Sequence, residues 1–400
     1  MRQLLHLGLG RFHRGHQAVY YQNSGNWNVI SSTMRSPEER EKLRNVNCIY
    51  PILELTHDSE KLSLIKCITE ALSLKDDLPR LLEVFTSSET EIVTLTVTEK
   101  GYCLDSRGEL DVTHPGIVHD LAYPEQPETA MGFLSLGLKK RKEKLTIISC
   151  DNLRDNGRKL EAAVRKMMGN DFPGNVSFPN TMVDRIVPAL LPDKIKELEN
   201  KLGLQSSEII ATEKFSQWVI EDRFAGERPD WPGVQFVNDV KPFEEMKLRL
   251  LNASHSYLAY AGLNRGYTFV HEAINDTELH QDVTTLMREE VAPLLTIPVG
   301  FDIQSYTNDL ITRFRNDKLP HQLKQIAMDG SQKMPQRIFS SLLEKGTSQF
   351  VLRKAVNEWL EFLWNSRYGK IDDPKAAELL KGIDQGKDAW KNIRLKAFNL

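Results

Sequence analysis

The stretch Leu4-Leu5-His6-Leu7-Gly8-Leu9-Gly10 decides the fold. A short apolar run that stops at two glycines reads as a buried strand ending in a tight turn. Glycine there lets the backbone bend sharply and approach a pyrophosphate, and a following helix offers free N–H groups and its positive dipole end. The chain is helix-compatible from there through Tyr21, with Phe12 and His13 in the first turn. His13 stands where a strict GxGxxG motif has its third glycine, and the nearest glycine is Gly15. A glycine pair after a strand is often only a turn. At the head of an alternating strand–helix pattern it predicts a dinucleotide site.

The chain has that alternation. Residues 28–33 form a second strand candidate, 54–55 with 62–67 suggest a hairpin-like excursion, and the β-branched runs 91–98 and 145–149 read as further strands. Strands alternating with helices argue for a parallel, doubly wound α/β sheet. Near residues 237–242 the Val/Ile/Thr signature fades, and helical patterns such as 243–263 and 349–368 take over. The expected organisation is a Rossmann-like dinucleotide-binding domain over 1–236 and a mainly α-helical substrate and catalytic domain over 237–400.

The bulk numbers agree. A chain of 400 residues exceeds one ordinary core. Hydrophobic residues at 40% and charged residues at 27% are the balance of a water-soluble enzyme. A net charge of -3 argues against nucleic acid or an anionic membrane as partner. The basic cluster at residues 139–144 precedes an apolar run and reads as a solvated helix end. Four scattered cysteines, with no CxxC pair, suit a reducing compartment and give no zinc spacing. The first residues run straight into the glycine motif, which predicts no signal peptide, and no apolar stretch approaches the roughly 20 residues that cross a bilayer. A cytoplasmic protein with a small-molecule substrate is the expectation.

After the second strand come Arg35 and Glu38. A carboxylate there would accept hydrogen bonds from the ribose hydroxyls of NAD and repel a 2′-phosphate, whereas an arginine would welcome that phosphate. Pro37-Glu38-Glu39 also reads simply as a helix start, with proline and acids in the first turn. The residues alone leave NAD and NADP open.

The segment from Lys247 to Gly262 is apolar enough to be a core helix, so its polar residues need a reason. At about 100° per residue Lys247 and His255 fall roughly 80° apart, with Asn252 about 60° to the other side of His255. A hydrogen-bonded core histidine beside a surface lysine would explain the arc. So would chemistry: a lysine as base, an amide to polarise a carbonyl, and an imidazole to position a hydroxyl. Ser149-Cys150-Asp151-Asn152 follows a strand, where open α/β sheets bind ligands. Residues 178–185 make an irregular polar patch that no core requires.

These segments, with Thr96-Val-Thr-Glu99-Lys-Gly-Tyr102 and Asp329-Gly-Ser-Gln-Lys333-Met-Pro-Gln-Arg337, resemble the polyol-specific long-chain dehydrogenase/reductase family, which includes mannitol dehydrogenases and fructuronate and tagaturonate reductases. The resemblance spans at least residues 4–337. It implies that Lys247 is the general base, with no metal, and that Asn152 and Asn252 form an oxyanion hole. His255 would orient the substrate, Asp184 would line the site, and Glu99 would exchange protons with solvent. It places Gly8, Gly10, Phe12, His13, Arg35 and Glu38 at the cofactor, and favours NAD (NADH) over NADP through Glu38. A lysine acting as base near neutral pH must be perturbed from its ordinary value near 10.4, and burial among apolar neighbours is the available means.

In the family's mannitol dehydrogenases an arginine precedes the Asp-Gly-Ser segment, and Gln325 stands at that position here. Lys333 and Arg337 instead resemble the keto-uronate reductases, and an arginine fork suits a carboxylate. D-Fructuronate/D-mannonate is the expected pair, with mannitol/fructose as the alternative. A non-catalytic nucleotide-binding sensor on the same fold is the reading from another class; the Lys247, Asn252, His255 and Asn152 set speaks against it.

Overall fold

The computed structural model describes residues 2–190, 192–202, 208–344 and 348–398. The chain divides into two compact units, Met1–Val240 and Lys241–Leu400.

The strands of the first unit are β1 (Arg2–Leu7), β2 (Trp27–Thr33), β3 (Tyr50–Leu55), β4 (Glu60–Ile65), β5 (Ile68–Ser73), β6 (Thr90–Leu95), β7 (Leu145–Ser149), β8 (Val176–Ser177), β9 (Thr181–Asp184), β10 (Ile210–Glu213), β11 (Gln217–Glu221) and β12 (Gln235–Val237). Six of them form one parallel sheet in the order β5-β2-β1-β6-β7-β8. Two halves therefore run outward in opposite directions from the β1/β6 pair, the order of dinucleotide-binding doubly wound sheets. Composition explains which strands are central. Leu4, Leu5, Leu7, Val93, Leu95 and Ile147 are fully buried, as strands covered on both faces must be. The twofold alternation of the strand puts Leu5, Leu7, Val93 and Leu95 into one apolar layer with Phe133 and Leu160. Leu4 and Ile92 enter the other layer, with Trp218 and Trp231.

The expected excursion is the antiparallel pair β3/β4, which β10 extends into a second, three-stranded sheet. A third sheet joins β9, β11 and β12. The expected first helix is instead two, Arg11–Gly15 and Gln17–Ser24, broken at His16.

The basic cluster behaves differently from its expectation. Lys139 and Lys140 are exposed at the end of the helix Ala130–Lys140, but Arg141 is buried. Its guanidinium donates to the carbonyls of Phe85 (2.5 Å), Ser87 (2.9 Å), Thr90 (2.6 Å), Glu143 (3.2 Å) and Lys144 (3.0 Å). A planar fork surrounded by carbonyl oxygens satisfies its donors without a carboxylate, and burial holds its pKa below the ordinary arginine value.

In the second unit every described helix or strand element is helical. One rod runs through Lys241–Met246, a π-helical segment Lys247–Asn252, and the α-helix Ala253–Asn264. The last is nearly all buried, with Tyr257, Leu258, Ala259, Tyr260 and Ala261 fully so. It packs against Leu323–Ala327 and Phe350–Asn365. The fully buried Glu290 accepts hydrogen bonds from Val351 N (2.8 Å) and Leu352 N (2.9 Å), fixing the start of Phe350–Asn365.

Arg141→Met should lower the unfolding free energy by about 3 kcal/mol, because it strands several carbonyls that the guanidinium now satisfies. Denaturant unfolding measures this; a loss below about 0.5 kcal/mol would mean that water replaces the guanidinium.

Candidate active site

At the carboxyl end of β1, Gly8 has a φ of 109°. A Cβ there would overlap the Thr96 carbonyl, whose carbon would lie 2.6 Å away. The turn is tied to β2 through Ser32 O, which accepts from Gly8 N (2.8 Å) and Leu9 N (2.9 Å). Gly10 is different. A Cβ on it would meet nothing closer than Gly8 O at 3.7 Å, so the protein itself does not demand glycine there. A bare backbone beside open space, at the point where the sheet reverses, fits a dinucleotide pressed against the turn.

The side chains around the turn divide. Phe12 is half-buried with its ring stacked on His16 (centroids 5.0 Å apart). His13 has 0% exposure and lies flat on His6, centroids 3.4 Å apart, with Nε2 3.0 Å from Ser31 Oγ. A side chain with no exposed surface has none to offer a cofactor, so the expected His13 contact is narrowed to its backbone. Arg35 and Glu38 are both exposed, and Glu38 opens the helix Glu38–Asn45 behind Pro37. The helix-start reading and an available carboxylate hold together.

The strand expected over 91–98 stops at Leu95, because Asp151 captures the backbone of Val97 and Thr98. Its carboxylate accepts from Val97 N (3.0 Å), Thr98 N (2.9 Å) and Tyr102 Oη (2.7 Å). Tyr102 Oη also lies 2.5 Å from Ser149 Oγ. Thr98 is held at φ 65°, a conformation that L-residues rarely adopt. Burial pushes the Asp151 carboxyl up, against the pull of its hydrogen bonds, and the Glu99 charge adds to the rise. Glu99 is exposed on the short turn Glu99–Tyr102, and Asn152 is exposed just past Asp151. Asn156 braces the same loop, its amide donating to Asp151 O (3.1 Å) and Thr181 O (3.0 Å). Asp184, at 5% exposure, ends β9 opposite Gln217.

In the second unit Lys247, Asn252 and His255 are all half-buried. Lys247–Asn252 is a π segment, in which each residue turns the helix by less than 100°. The angular arithmetic for a pure α-helix therefore fails between Lys247 and Asn252 and holds from there to His255. The His255 ring packs against Phe314 (4.7 Å) and meets His321 edge-on (5.6 Å). Burial, then His321, Arg313 and Arg337, hold its pKa well below the ordinary histidine value, so the ring is neutral. Arg337 Nη1 donates to Ser256 Oγ (3.0 Å) and Asn252 O (3.3 Å), gripping the junction of the π and α segments. Burial pushes Arg337 down to about 10. Lys333 donates to Ile326 O (3.3 Å), and burial followed by the Arg337 charge lowers its pKa. Among the described residues neither Arg337 nor Lys333 has an ion-pair partner. Among them also, no group of three or more His, Cys, Asp or Glu side chains is placed to hold a metal, and no helix is long and apolar enough to cross a membrane.

A parallel sheet in this order, with a glycine turn at its reversal point, defines a Rossmann-type nucleotide-binding unit. Comparison with known proteins then narrows the class. The mannitol dehydrogenase Rossmann domain model matches residues 2–233 and the mannitol dehydrogenase C-terminal domain model matches 239–393. D-mannonate oxidoreductase of Escherichia coli (strain K12) is 40% identical, over 95% of this chain and 84% of that protein. Mannitol 2-dehydrogenase of Phaeosphaeria nodorum is 34% identical, over 94% of this chain and 72% of that protein. Among solved structures, the Pseudomonas fluorescens mannitol 2-dehydrogenase ternary complex with NAD and D-mannitol superposes with a TM-score of 0.83 at 33% identity, covering 98% of this chain and 86% of that one. The chain belongs to the mannitol dehydrogenase family and is a dehydrogenase/reductase acting on a CH–OH carbon.

Sequence reasoning missed the bracing residues. Asp151, Tyr102 and Asn156 lie in or beside the recognisable motifs, but their partners are set by strand adjacency. His321 gave no signal at all. His6 did: it is a polar residue inside an otherwise apolar strand.

His6, pushed down to about 3, and His13, also lowered, both by burial first, are fully buried and neutral when folded. Unfolding frees each to take a proton near its ordinary value of 6.5. Stability is therefore intact above that pH and is lost as pH falls below it, by about 1.4 kcal/mol per pH unit for each ring. Urea midpoints at about pH 7.5 and 5.5 test this; equal midpoints would show that the rings are not protected.

Proposed function

We propose that this chain is an NAD-dependent, metal-independent oxidoreductase that interconverts D-fructuronate and D-mannonate. The observation that carries the substrate choice is the pair Lys333 and Arg337, half-buried cations near His255 with no ion-pair partner among the described residues. Asp329 and Asp373 offset the Lys333 charge only from a distance, and a buried cation with no direct partner is costly, so a substrate carboxylate would be a favourable one. The 40% identity to a D-mannonate oxidoreductase supports the same reading. Mannitol/fructose is the second reading, favoured by the mannitol 2-dehydrogenases among the relatives and by the bonds Arg337 already makes to Ser256 and Asn252.

In this reading the unit ending at Val240 binds the dinucleotide and the unit from Lys241 supplies the base. The backbone at Gly8, Gly10 and His13 carries the pyrophosphate, Phe12 flanks it, and Glu38 and Arg35 meet the adenosine ribose. The bound nicotinamide supplies the hydride acceptor in oxidation and the donor in reduction. Lys247 takes the proton of the reacting hydroxyl in oxidation and returns it in reduction. Asn152 and Asn252 donate amide N–H groups to the substrate oxygen as its charge grows. The neutral imidazole of His255 orients the hydroxyl, Asp184 contacts the polyol chain, and the exposed Glu99 passes protons to solvent.

NADH consumption with fructuronate, tagaturonate and fructose, with EDTA present, tests the proposal. Fructuronate should be reduced fastest; fructose turned over well and fructuronate not at all would install the second reading. Lys247→Ala should cost about 10²–10⁴ in rate while leaving NADH affinity almost intact. A variant that keeps half of wild-type activity would remove Lys247 from the mechanism.

Glu38→Lys should shrink or reverse the preference for NADH over NADPH, by roughly one to three decades in the ratio of kcat/KM values. An unchanged ratio would make Glu38 an ordinary first-turn acid.

A further inference from the structure

Beneath the glycine turn lies a chain of hydroxyl and imidazole groups that the mechanism does not use. Tyr21 Oη lies 3.2 Å from Thr94 Oγ1, which lies 2.7 Å from His6 Nδ1. On the other side of the ring, His6 Nε2 is 2.9 Å from Thr96 Oγ1 and 3.3 Å from Gly8 O. Thr96 Oγ1 is 2.8 Å from Gly8 O. The alternation of the strands explains the meeting, since His6 and Thr94 are register partners on neighbouring strands.

The direction of every bond in this chain is set from one end. The Thr96 hydroxyl donates its single proton to Gly8 O, a carbonyl oxygen that can only accept. Thr96 Oγ1 must then accept from His6, so Nε2 carries the ring proton. In a neutral ring Nδ1 is bare and accepts the Thr94 proton, which leaves Thr94 to accept from Tyr21. Burial keeps the His6 ring neutral and the Tyr21 phenol protonated, so no member changes state in the working range. The flat stack of His13 on His6 closes the ring from above. A histidine at the third-glycine position thus packs onto the chain that supports the first glycine.

We propose that the chain Tyr21–Thr94–His6–Thr96 is the device that holds the Gly8 carbonyl, and with it the cofactor-binding turn, in its left-handed shape, so that these positioning residues set cofactor affinity without touching the cofactor. The proposal rests on the reading that the Gly8–Gly10 turn binds the dinucleotide. Gly8 sits at φ 109°, and the bond from Thr96 locks the peptide on its carboxyl side. Loss of that hydrogen bond leaves the Ser32 ties to Gly8 N and Leu9 N but loosens the Gly8 carbonyl, and the bound cofactor must then exclude the conformations it samples.

Fluorescence titration of wild type with NADH and NADPH comes first and identifies the cofactor used for comparison. Thr96→Val, nearly the same size but without the hydroxyl, should then weaken its binding roughly three- to tenfold. The loss should fall on KM for the cofactor more than on kcat, and Thr96→Ser should restore wild-type affinity. Tyr21→Phe should act in the same direction and less strongly. Unchanged affinity in Thr96→Val would overturn the proposal, as would equal losses in the Val and Ser variants. Nitrogen NMR of wild-type His6 gives a test that needs no variant: the neutral Nε2–H tautomer from about pH 5 to 8 is expected, and an Nδ1–H or doubly protonated ring would overturn the chain. Wild type that binds neither dinucleotide would sink the cofactor reading and the affinity claim together, while the tautomer would still report on the hydrogen bonds.

Discussion

The carboxyl end of the sheet depends on one buried carboxylate. Asp151 holds the backbone N–H groups of two residues past β6 while belonging to the end of β7, so it joins the two strands where their ladder stops. Thr96 N still reaches Leu7 O (2.8 Å), but without that capture the N–H groups of Val97 and Thr98 would lose the acceptor they have. A buried acid is costly unless its oxygens are filled, and here two N–H groups and a phenol fill them. The cost is therefore tolerable, and its return is geometric. Glu99 follows the brace on one side and Asn152 on the other, so it fixes the backbone from which each exposed side chain starts.

The second unit solves the same problem with helices. Arg337 reaches a backbone carbonyl and a side-chain hydroxyl on the rod that carries Lys247, Asn252 and His255. Arg249, inside the π segment, donates to Ser341 Oγ (2.9 Å) and pairs with Glu344 (3.0 Å). Two arginines thus anchor the rod within its own unit, Arg249 between Lys247 and Asn252, and Arg337 at Asn252 and Ser256. In the reading proposed above, a base carried on this rod would need such a fixed backbone, because catalytic groups act only within a narrow geometry.

Much of this architecture is legible in the sequence. Strands β1 and β7 announce themselves as apolar or β-branched runs because a strand covered on both faces has few polar residues to interrupt it, and β2 is legible through Val29 and Ile30. The strands of the small sheets and edges are harder, since β8 and β12 span only two and three residues and leave no period to detect. The glycine turn and the polar residues of the Lys247 segment stand out in the sequence, though each also has a packing reading, as Gly8 shows by its close approach to the Thr96 carbonyl. Their roles come from family resemblance. The Asp151 brace and the His6 chain could not be read, because each partner lies dozens of residues away and only strand pairing brings them together. The π segment was invisible for another reason: wider turns leave no mark on composition, so a helix of normal appearance concealed a change of pitch.

That change of pitch governs how the rod tolerates insertion and deletion. A π turn accommodates one residue more than an α turn between the same two ends, so the segment Lys247–Asn252 behaves as an extra residue absorbed without breaking the helix. Removing a single residue there would let the segment relax to ordinary α spacing with both flanking helices left in place, whereas a deletion inside Ala253–Asn264 would rotate everything beyond it by about 100°. The same wider turns recur at Leu286–Val291 and Pro335–Phe339. Changes of one residue in length are therefore best tolerated inside these wide turns: a relative with one residue fewer there would keep both flanking helices in the core, and only the side chains within the turn would change direction.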